Sequence, residues 1–521
     1  MSSLDRALLR LADATLIPPF PGLSVPDWIL RALERGLAGV TLFGPNIAGP
    51  EQVRALTAAL RSAGAGAPAG FDALAGFGDP VIAIDEEGGD VTRVAYADGS
   101  PYPGNAALGA VDDVALTRSV YHAIGADLAA LGINFNLAPC ADVLGSADSP
   151  AVGTRSFGAD TDLVSRHTVA AVAGLQGAGV AACAKHFPGH GRTRTDTHEA
   201  VATIEGSLAE LRQRDLPPFA AAISAGTIAV MPSHLRVPEL TGDLPATVSS
   251  AALVGLLRDE LGFTGVIVSD ALEMRATRDM FGVPRAAALA VAAGTDLLCL
   301  GRDSSEEDYL AVRSALVDAV RDGTIPGTRL EEAADRVARL RGGLARARSR
   351  GFADGAAVDG AAVGLAAARR AVRLSGPRQT LANPLIIEVE PRENIAAGRF
   401  GWGLGRWAPT GSVRRVEAGD GQAAGNGDGI AGDAPAILGA AAGRSLVAVV
   451  RDAHRDSATQ SLVGALLAAR PDTVLVEMGL PLWRPPEGTS YLATYGASRA
   501  SAQAAAEMLG LVRGVPEARN P

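Results

Sequence analysis

The sequence predicts a (β/α)8 TIM-type barrel followed by a smaller C-terminal α/β sandwich domain. Three observations carry that expectation. Eight short apolar runs recur between Ala14 and Leu300, amphipathic stretches separate them, and polar clusters follow several of the runs directly. Strands alternating with helices build parallel sheets, and eight such units are the number that closes a barrel. A doubly wound open sheet is the alternative that alternation leaves open.

The strand candidates are Ala14–Ile17, Gly39–Phe43, Val81–Asp85, Ile133–Pro139, Val180–His186, Ile228–His234, Val266–Asp270 and Asp296–Leu300. Between and after them, helical periodicity marks Pro26–Gly36, Glu51–Ser62, Asp113–Leu131, Asp162–Gly177, Ser207–Ala225, Ser249–Leu261, Pro284–Ala293 and Ser305–Asp322. Ser207 with Glu210 three residues on reads as a capping box. An Arg-rich helix spans Leu330–Arg350. Residues Gly351–Gly364 read as a linker, and a helix follows at Leu365–Leu374. The second domain starts near Pro384, with strands at Leu385–Val389, Leu446–Val450 and Thr473–Glu477 and helices near Ser457–Ala469 and Ala497–Leu509. The expected division is therefore a barrel over 1–350, a linker and connecting helix over 351–383, and a sandwich over 384–521. The stretch Gly419–Gly432 is a loop by composition, without the strand-before, helix-after setting of a nucleotide loop.

Composition excludes several functions. A length of 521 residues favours two domains over one. The net charge of −10 argues against nucleic acid as a partner. Cys140, Cys183 and Cys299 each sit in an apolar run and read as buried free thiols of a reducing compartment. The N-terminus mixes charges within Met1–Arg6 and lacks a long apolar core, and no run of about 18 apolar residues appears anywhere. A soluble, cytoplasmic chain without a membrane partner is the expectation. Oligomeric state and cofactor leave no trace in the sequence, and no cofactor is expected.

The basic residues are more telling. Lys185 is the single lysine among 47 Lys and Arg residues. It opens Lys185-His186-Phe187-Pro188-Gly189-His190-Gly191, which leads into Asp196-Thr197-His198. Lysine is a compact point charge, whereas arginine is a flat fork of donors. His186 and His190 have the i, i+4 spacing of a zinc helix, but Pro188 and Gly189 between them forbid that helix. A metal site of His186, His190, Asp196 and His198 stays as a competing reading, with neither a glutamate base nor a cysteine ligand beside it. Asp196 and His198 lie on one side of an extended segment, where the carboxylate can fix the tautomer of the imidazole for acid/base work. Asp270 ends an apolar strand, the position of either a helix cap or a catalytic carboxylate. Asp85 ends another, beside Gly88-Gly89. One carboxylate, one proton shuttle and several donors suit retaining glycoside hydrolysis, with histidine in place of the usual second carboxylate.

These residues resemble glycoside hydrolase family 3, specifically its β-N-acetylglucosaminidase branch. The Lys185–Gly191 segment with Asp196-x-His198 is similar to that branch's signature. So are Asp85-x-Glu87-Gly88-Gly89-x-Val91-x-Arg93, Ala138-Pro139-x-Ala141-Asp142-Val143, Arg155-Ser156-Phe157-Gly158 and Val268-Ser269-Asp270-Ala271-Leu272-Glu273-Met274. The resemblance covers roughly residues 10–345 and is loose in the second domain. The family's β-glucosidases usually carry Trp after the nucleophile, where this chain has Ala271. The resemblance implies that Asp270 is the nucleophile, His198 the acid/base and Asp196 its partner. It implies that Asp85, Arg93, Arg155, Lys185 and His186 hold the sugar. The implied role is release of terminal β-linked N-acetylglucosamine from a glycoside or muropeptide during cell-wall recycling. A phosphorylase, with phosphate as a partner, or a broader β-glucosidase is the nearest alternative. A non-catalytic sugar-binding protein is the distant one.

Overall fold

The computed structural model describes residues 3–65, 78–145, 149, 151–193, 201–204, 206–350, 359–391, 398, 401–417 and 432–512. It falls into two compact units. The first comprises Met1–Glu87, Val114–Val152 and Gly158–Val358, and the second Gly88–Asp113, Gly153–Phe157 and Asp359–Pro521.

The first unit contains strands β1 (Leu16–Ile17), β2 (Gly39–Leu42), β3 (Val81–Ile84), β4 (Phe135–Asn136), β5 (Ala181–Phe187), β6 (Ala229–Pro232), β7 (Val266–Ile267) and β8 (Leu298–Cys299). Strands β2 to β7 form one parallel sheet in sequence order, and β1 pairs in parallel with β8. Two short seams close the ring. The Thr41 N–H donates to the Pro18 carbonyl at 3.2 Å, and a parallel bridge joins Val268 to Leu297. The eight-stranded barrel is therefore present, although several strands are shorter than their apolar runs. Side chains of alternate residues fill it: Ile17, Val81, Ala83, Phe135, Leu137, Ala181, Cys183, Ala229, Met231, Val266, Val268, Leu297 and Cys299 form one buried cluster. Val337, Leu340 and Leu344 of the helix Gly327–Arg350 join the same cluster.

The helices expected from the sequence between the barrel strands are present with one break, and Ser3–Asp13, Asn105–Val111 and Arg275–Phe281 are further helices that periodicity did not mark. The expected Ser207–Ala225 helix is two helices, Leu208–Arg214 and Pro217–Ser224, because Pro217-Pro218 cannot continue the first and starts the second. The capping box of Ser207 and Glu210 is formed.

The second unit is built on a six-stranded sheet of β9 (Arg373–Ser375), β10 (Leu385–Glu390), β11 (Val413–Glu417), β12 (Leu446–Val450), β13 (Val474–Glu477) and β14 (Ser490–Ala493), in the order β11-β10-β12-β13-β14-β9. All pairings are parallel except that of β9 with β14. Alternation splits the apolar residues between two faces. Ile386, Val447, Val449, Val474, Val476 and Leu492 pack with the alanines of helix Arg499–Met508 on one face. Leu385, Ile387, Ala448, Val450 and Leu475 pack with Leu462, Val463 and Leu466 of helix Ser457–Ala469 on the other. The expected linker ends earlier than the composition suggested. Asp359 accepts from the Ala362 N–H and starts a helix at Gly360, which ends at Ala371, so Leu374 belongs to β9 rather than to that helix. Residues 351–358 and 419–431 lie outside the described residues.

Two segments between barrel strands belong to the second unit. Val91 and Tyr96 pack in its first apolar cluster. Asp90 is 5% exposed and gathers three donors: Arg451 at 2.9 Å, the Thr154 hydroxyl at 2.7 Å and the Ala497 N–H at 2.9 Å. Gly89 has φ +62°, and a side chain there would come within 2.7 Å of the Gly104 Cα.

Candidate active site

Strand alternation builds the site. Val81 and Ala83 on β3, Ala181 and Cys183 on β5, and Val266 and Val268 after the start of β7 all face the barrel core. Two residues further along each strand stand Asp85, Lys185 and Asp270. Side chains of alternate strands share a layer in such barrels, and the C-terminal mouth is where chemistry is carried out. The apolar filling of the odd strands therefore ends in a charged layer.

Lys185 is 2% exposed. Its Nζ lies 2.6 Å from Asp85 Oδ1 and 2.7 Å from Glu87 Oε1. The Glu87 side chain is 2% exposed, whereas that of Asp85 is 21% exposed and keeps access to solvent. A buried ammonium shared by two carboxylates offsets charges that would be costly to bury alone. The three residues retain a net negative charge. Asn136 on β4 aligns the segment from behind: its Oδ1 accepts from the Glu86 N–H at 3.0 Å, and its Nδ2 donates to the Glu86 carbonyl at 2.8 Å.

Beside this cluster, Asp142 is fully buried. It accepts from His186 Nδ1 at 2.7 Å, from the His190 N–H at 2.7 Å, from the His186 N–H at 3.2 Å and from the Cys140 thiol at 3.2 Å. Burial pushes its carboxyl upward, but the two histidines outweigh burial and hold it below the usual carboxylate range. The contact places a hydrogen on Nδ1 of His186. The glycines of the motif fit here. A Cβ on Gly191 would lie 2.0 Å from the Val143 carbonyl oxygen. The ligand atoms of Cys140, Asp142 and His186 all lie within 4.8 Å of one another. A softer divalent cation could use this set only by displacing the hydrogen bonds that already join it.

Asp270 is half-buried, and its Oδ1 accepts from the Ala271 N–H at 2.8 Å. Its segment is held by β8. Ser269 Oγ accepts from the Cys299 N–H at 3.0 Å, and Glu273 Oε2 accepts from the Gly301 N–H at 2.7 Å. The neighbouring thiols register how close the charges are. Burial pushes the Cys183 thiol up, Lys185 opposes this, and Asp85 and Asp270 both reinforce it. Cys299 is likewise raised, by burial first, with Glu273, Asp85 and Asp270 adding to it. The three cysteines are buried free thiols.

The structure thus brings Asp85, Lys185, His186 and Asp270 to one rim of the first unit. Arg93 and Arg155 are half-buried in the second unit. Asp196 and His198 lie outside the described residues. Glu87, Asp142 and Asn136 were not assigned a role from sequence. Glu87 had a usable signal, since a residue two beyond Asp85 in an extended segment shares its side. Nothing local marks Asn136, whose partner Glu86 is 50 residues away, and the histidines that Asp142 accepts from lie 44 and 48 residues on. Among the described residues, no helix is long and apolar enough to cross a membrane.

Comparison with known proteins agrees with this architecture. Residues 30–340 match the model of the glycosyl hydrolase family 3 N-terminal domain. A β-hexosaminidase A of Pseudoalteromonas piscicida is 32% identical over 342 residues, covering 61% of this chain and 55% of that relative, so the chain spans about half of the relative's length. A β-hexosaminidase of Stenotrophomonas maltophilia is 38% identical over 277 residues, covering 52% of this chain and 77% of the relative. The solved structure of a family 3 β-N-acetylglucosaminidase from a Paenibacillus species superposes with a TM-score of 0.80 at 31% identity, covering 97% of both chains. With a barrel that ends in a charged layer and a family match over more than half its length, the chain belongs to glycosyl hydrolase family 3.

Proposed function

We propose that the protein is a retaining glycoside hydrolase that removes terminal β-linked N-acetylglucosamine through a covalent glycosyl-enzyme. The observation that carries this reading is the layer of Asp85, Lys185 and Asp270 at the barrel mouth of a family 3 chain whose relatives are named β-hexosaminidases.

In this reading the Asp270 carboxylate attacks the anomeric carbon while the bond to the leaving oxygen breaks. His198, oriented by Asp196, gives that oxygen its proton. Water then attacks the same carbon, His198 takes the proton from the water, and the bond to Asp270 breaks. Two inversions return the sugar with its original configuration. Asp85 accepts from sugar hydroxyls with a charge-assisted bond. Lys185 holds Asp85 and Glu87 in place and brings a positive charge to the edge of the sugar site. His186 is a further sugar ligand. The excess of carboxylates over cations among Asp85, Glu87, Lys185 and Asp270 favours the positive charge that builds up on the sugar ring at the transition state. We further infer a catalytic role for residues 1–350 and an accessory one for 384–521, on muropeptide substrates in the cytoplasm.

The test compares an aryl β-N-acetylglucosaminide with an aryl β-glucoside, each with and without phosphate, and identifies the sugar product. Release of free N-acetylglucosamine from the first substrate alone, independent of phosphate, is the expected result. A sugar 1-phosphate formed only with phosphate present would make the protein a phosphorylase, and preference for the glucoside would overturn the substrate assignment.

A further inference from the structure

His234 lies two residues beyond the end of β6 and is fully buried. Its Nε2 is 2.9 Å from the carbonyl oxygen of Ala271, the residue that follows Asp270. A carbonyl only accepts, so Nε2 carries a hydrogen. The other end of the ring is fixed as well. Nδ1 lies 2.8 Å from Thr247 Oγ1, and that buried hydroxyl donates to the Ser233 carbonyl at 2.9 Å. The ring cannot swing without breaking both contacts.

What the ring holds is the residue directly after Asp270. Ala271 is the residue whose N–H binds Asp270 Oδ1. Its carbonyl also accepts from the Met274 N–H at 3.2 Å and closes a turn. On the opposite side β8 grips the segment at Ser269, Leu272 and Glu273 through Cys299 and Gly301. Without His234 the segment would be held from the β8 side, with the β6 side losing this contact.

We propose that His234 is a positioning residue for Asp270. Its Nε2–H sets the Ala271 carbonyl and, through the following turn, the line along which the Asp270 carboxylate meets the anomeric carbon. This rests on Asp270 being the nucleophile. The attack that forms the glycosyl-enzyme and the water attack that ends it use the same carbon–oxygen axis, so misalignment slows both. Misplacing a reacting group by about 1 Å costs on the order of 10²-fold. The histidine is buried behind the segment, and binding of the sugar is expected to be spared.

The test is steady-state kinetics of His234→Leu, His234→Gln and His234→Asn on aryl β-N-acetylglucosaminides of differing leaving-group ability. A Gln amide nitrogen reaches the position of Nε2, whereas that of Asn reaches only the position of Nδ1. The expected result is a kcat lowered about 10²-fold in the Leu and Asn variants, with KM within about threefold of wild type. Gln recovers most of kcat, and the loss is equal for good and poor leaving groups, unlike the loss from removing an acid. A Leu variant with wild-type kcat overturns the proposal. So does equal activity of the Asn and Gln variants, which decides the matter should the Leu variant fail to fold. Asp270→Ala, assayed beside them, separates two failures. An active Asp270→Ala enzyme removes the nucleophile assignment itself, whereas an inactive one beside an unimpaired His234→Leu removes only the role of His234.

Discussion

Both units end parallel strands in carboxylates, and the two sets differ in what satisfies them. In the second unit, Glu477 at the end of β13 accepts from the N–H groups of Asp452 at 2.7 Å, Ala453 at 3.1 Å and Gly479 at 2.6 Å. Glu388 on β10 accepts from the N–H groups of Leu404 at 2.7 Å and Gly405 at 3.0 Å and from Arg415 at 3.1 Å. Both are 1% exposed. They tie loops to strand ends and have no face left for a ligand. In the barrel, Asp85 shares a lysine but stays 21% exposed, and Asp270 is half-buried with one oxygen held by the next N–H. A carboxylate at a strand end is therefore a poor mark of chemistry by itself. Orientation from one side combined with exposure on the other is the better mark.

The largest expected effect comes from removing the barrel carboxylate read as the nucleophile. Asp270→Ala should lower turnover by about three decades or more on an aryl β-N-acetylglucosaminide. Wild-type turnover in that variant would erase the contrast between the two sets. Next in size is the lysine. Lys185→Met strands Asp85 and Glu87 without their cation, and loss of one partner of a buried ionic cluster costs about 3–5 kcal/mol, read as a large drop in melting temperature. Lys185→Arg keeps the charge but brings a planar fork to a seat where Nζ meets two carboxylates at 2.6 and 2.7 Å. It should raise KM about tenfold while changing stability less than the Met variant. A wild-type KM would mean that the single lysine has no bearing on binding.

A third experiment separates buried carboxylates by the direction of their titration. Asp215, 1% exposed beside Arg192, is pushed up to about 6, by burial first, with Arg192 and Arg214 opposing. Its native value lies above its unfolded value, so its contribution to stability is present at acid pH and is lost as pH rises through about 6. Asp215→Asn should gain stability relative to wild type, by about 2 kcal/mol, between pH 4 and pH 7. Thermal melts across that range would show it, and a pH-independent difference would count against it. Asp142 is displaced the other way, so its contribution is present at neutral pH and fades as acid protonates it. The smallest effect on catalysis should come from the second unit's carboxylates. Glu477→Gln leaves buried N–H groups short of an acceptor and costs about 1–3 kcal/mol, while kcat/KM stays within about twofold. A larger kinetic loss would show that these strand ends are not merely structural.

Legibility followed the same line. Eight apolar runs sufficed to read the barrel, and extending their alternation by one step reaches Asp85, Lys185 and Asp270. Strands β9 and β11 escaped notice because neither looks buried: Arg373–Ser375 is largely exposed, and Val413–Glu417 carries two arginines at the sheet edge. Strand β14 is buried, but Ser490–Ala493 contains no β-branched residue to mark it as a strand. The break at Pro217-Pro218 was written in the chain and outweighed the helical periodicity around it.

The sequence by itself determined the order of strands and helices, the motif glycines and which strand ends carry charge, because these depend on local periodicity and on backbone sterics. Only the tertiary structure decided the partners. Lys185 finds Asp85 from 100 residues away, His186 finds Asp142 from 44, and His234 reaches the Ala271 carbonyl from 37. It also decided that the segments carrying Arg93 and Arg155 pack with the second unit around Asp90 and Arg451. Contacts of that span come from closing the sheet and packing the loops above it. No local propensity encodes them, so the lysine that stands out in composition acquires its two carboxylates only once β3 and β5 share a barrel.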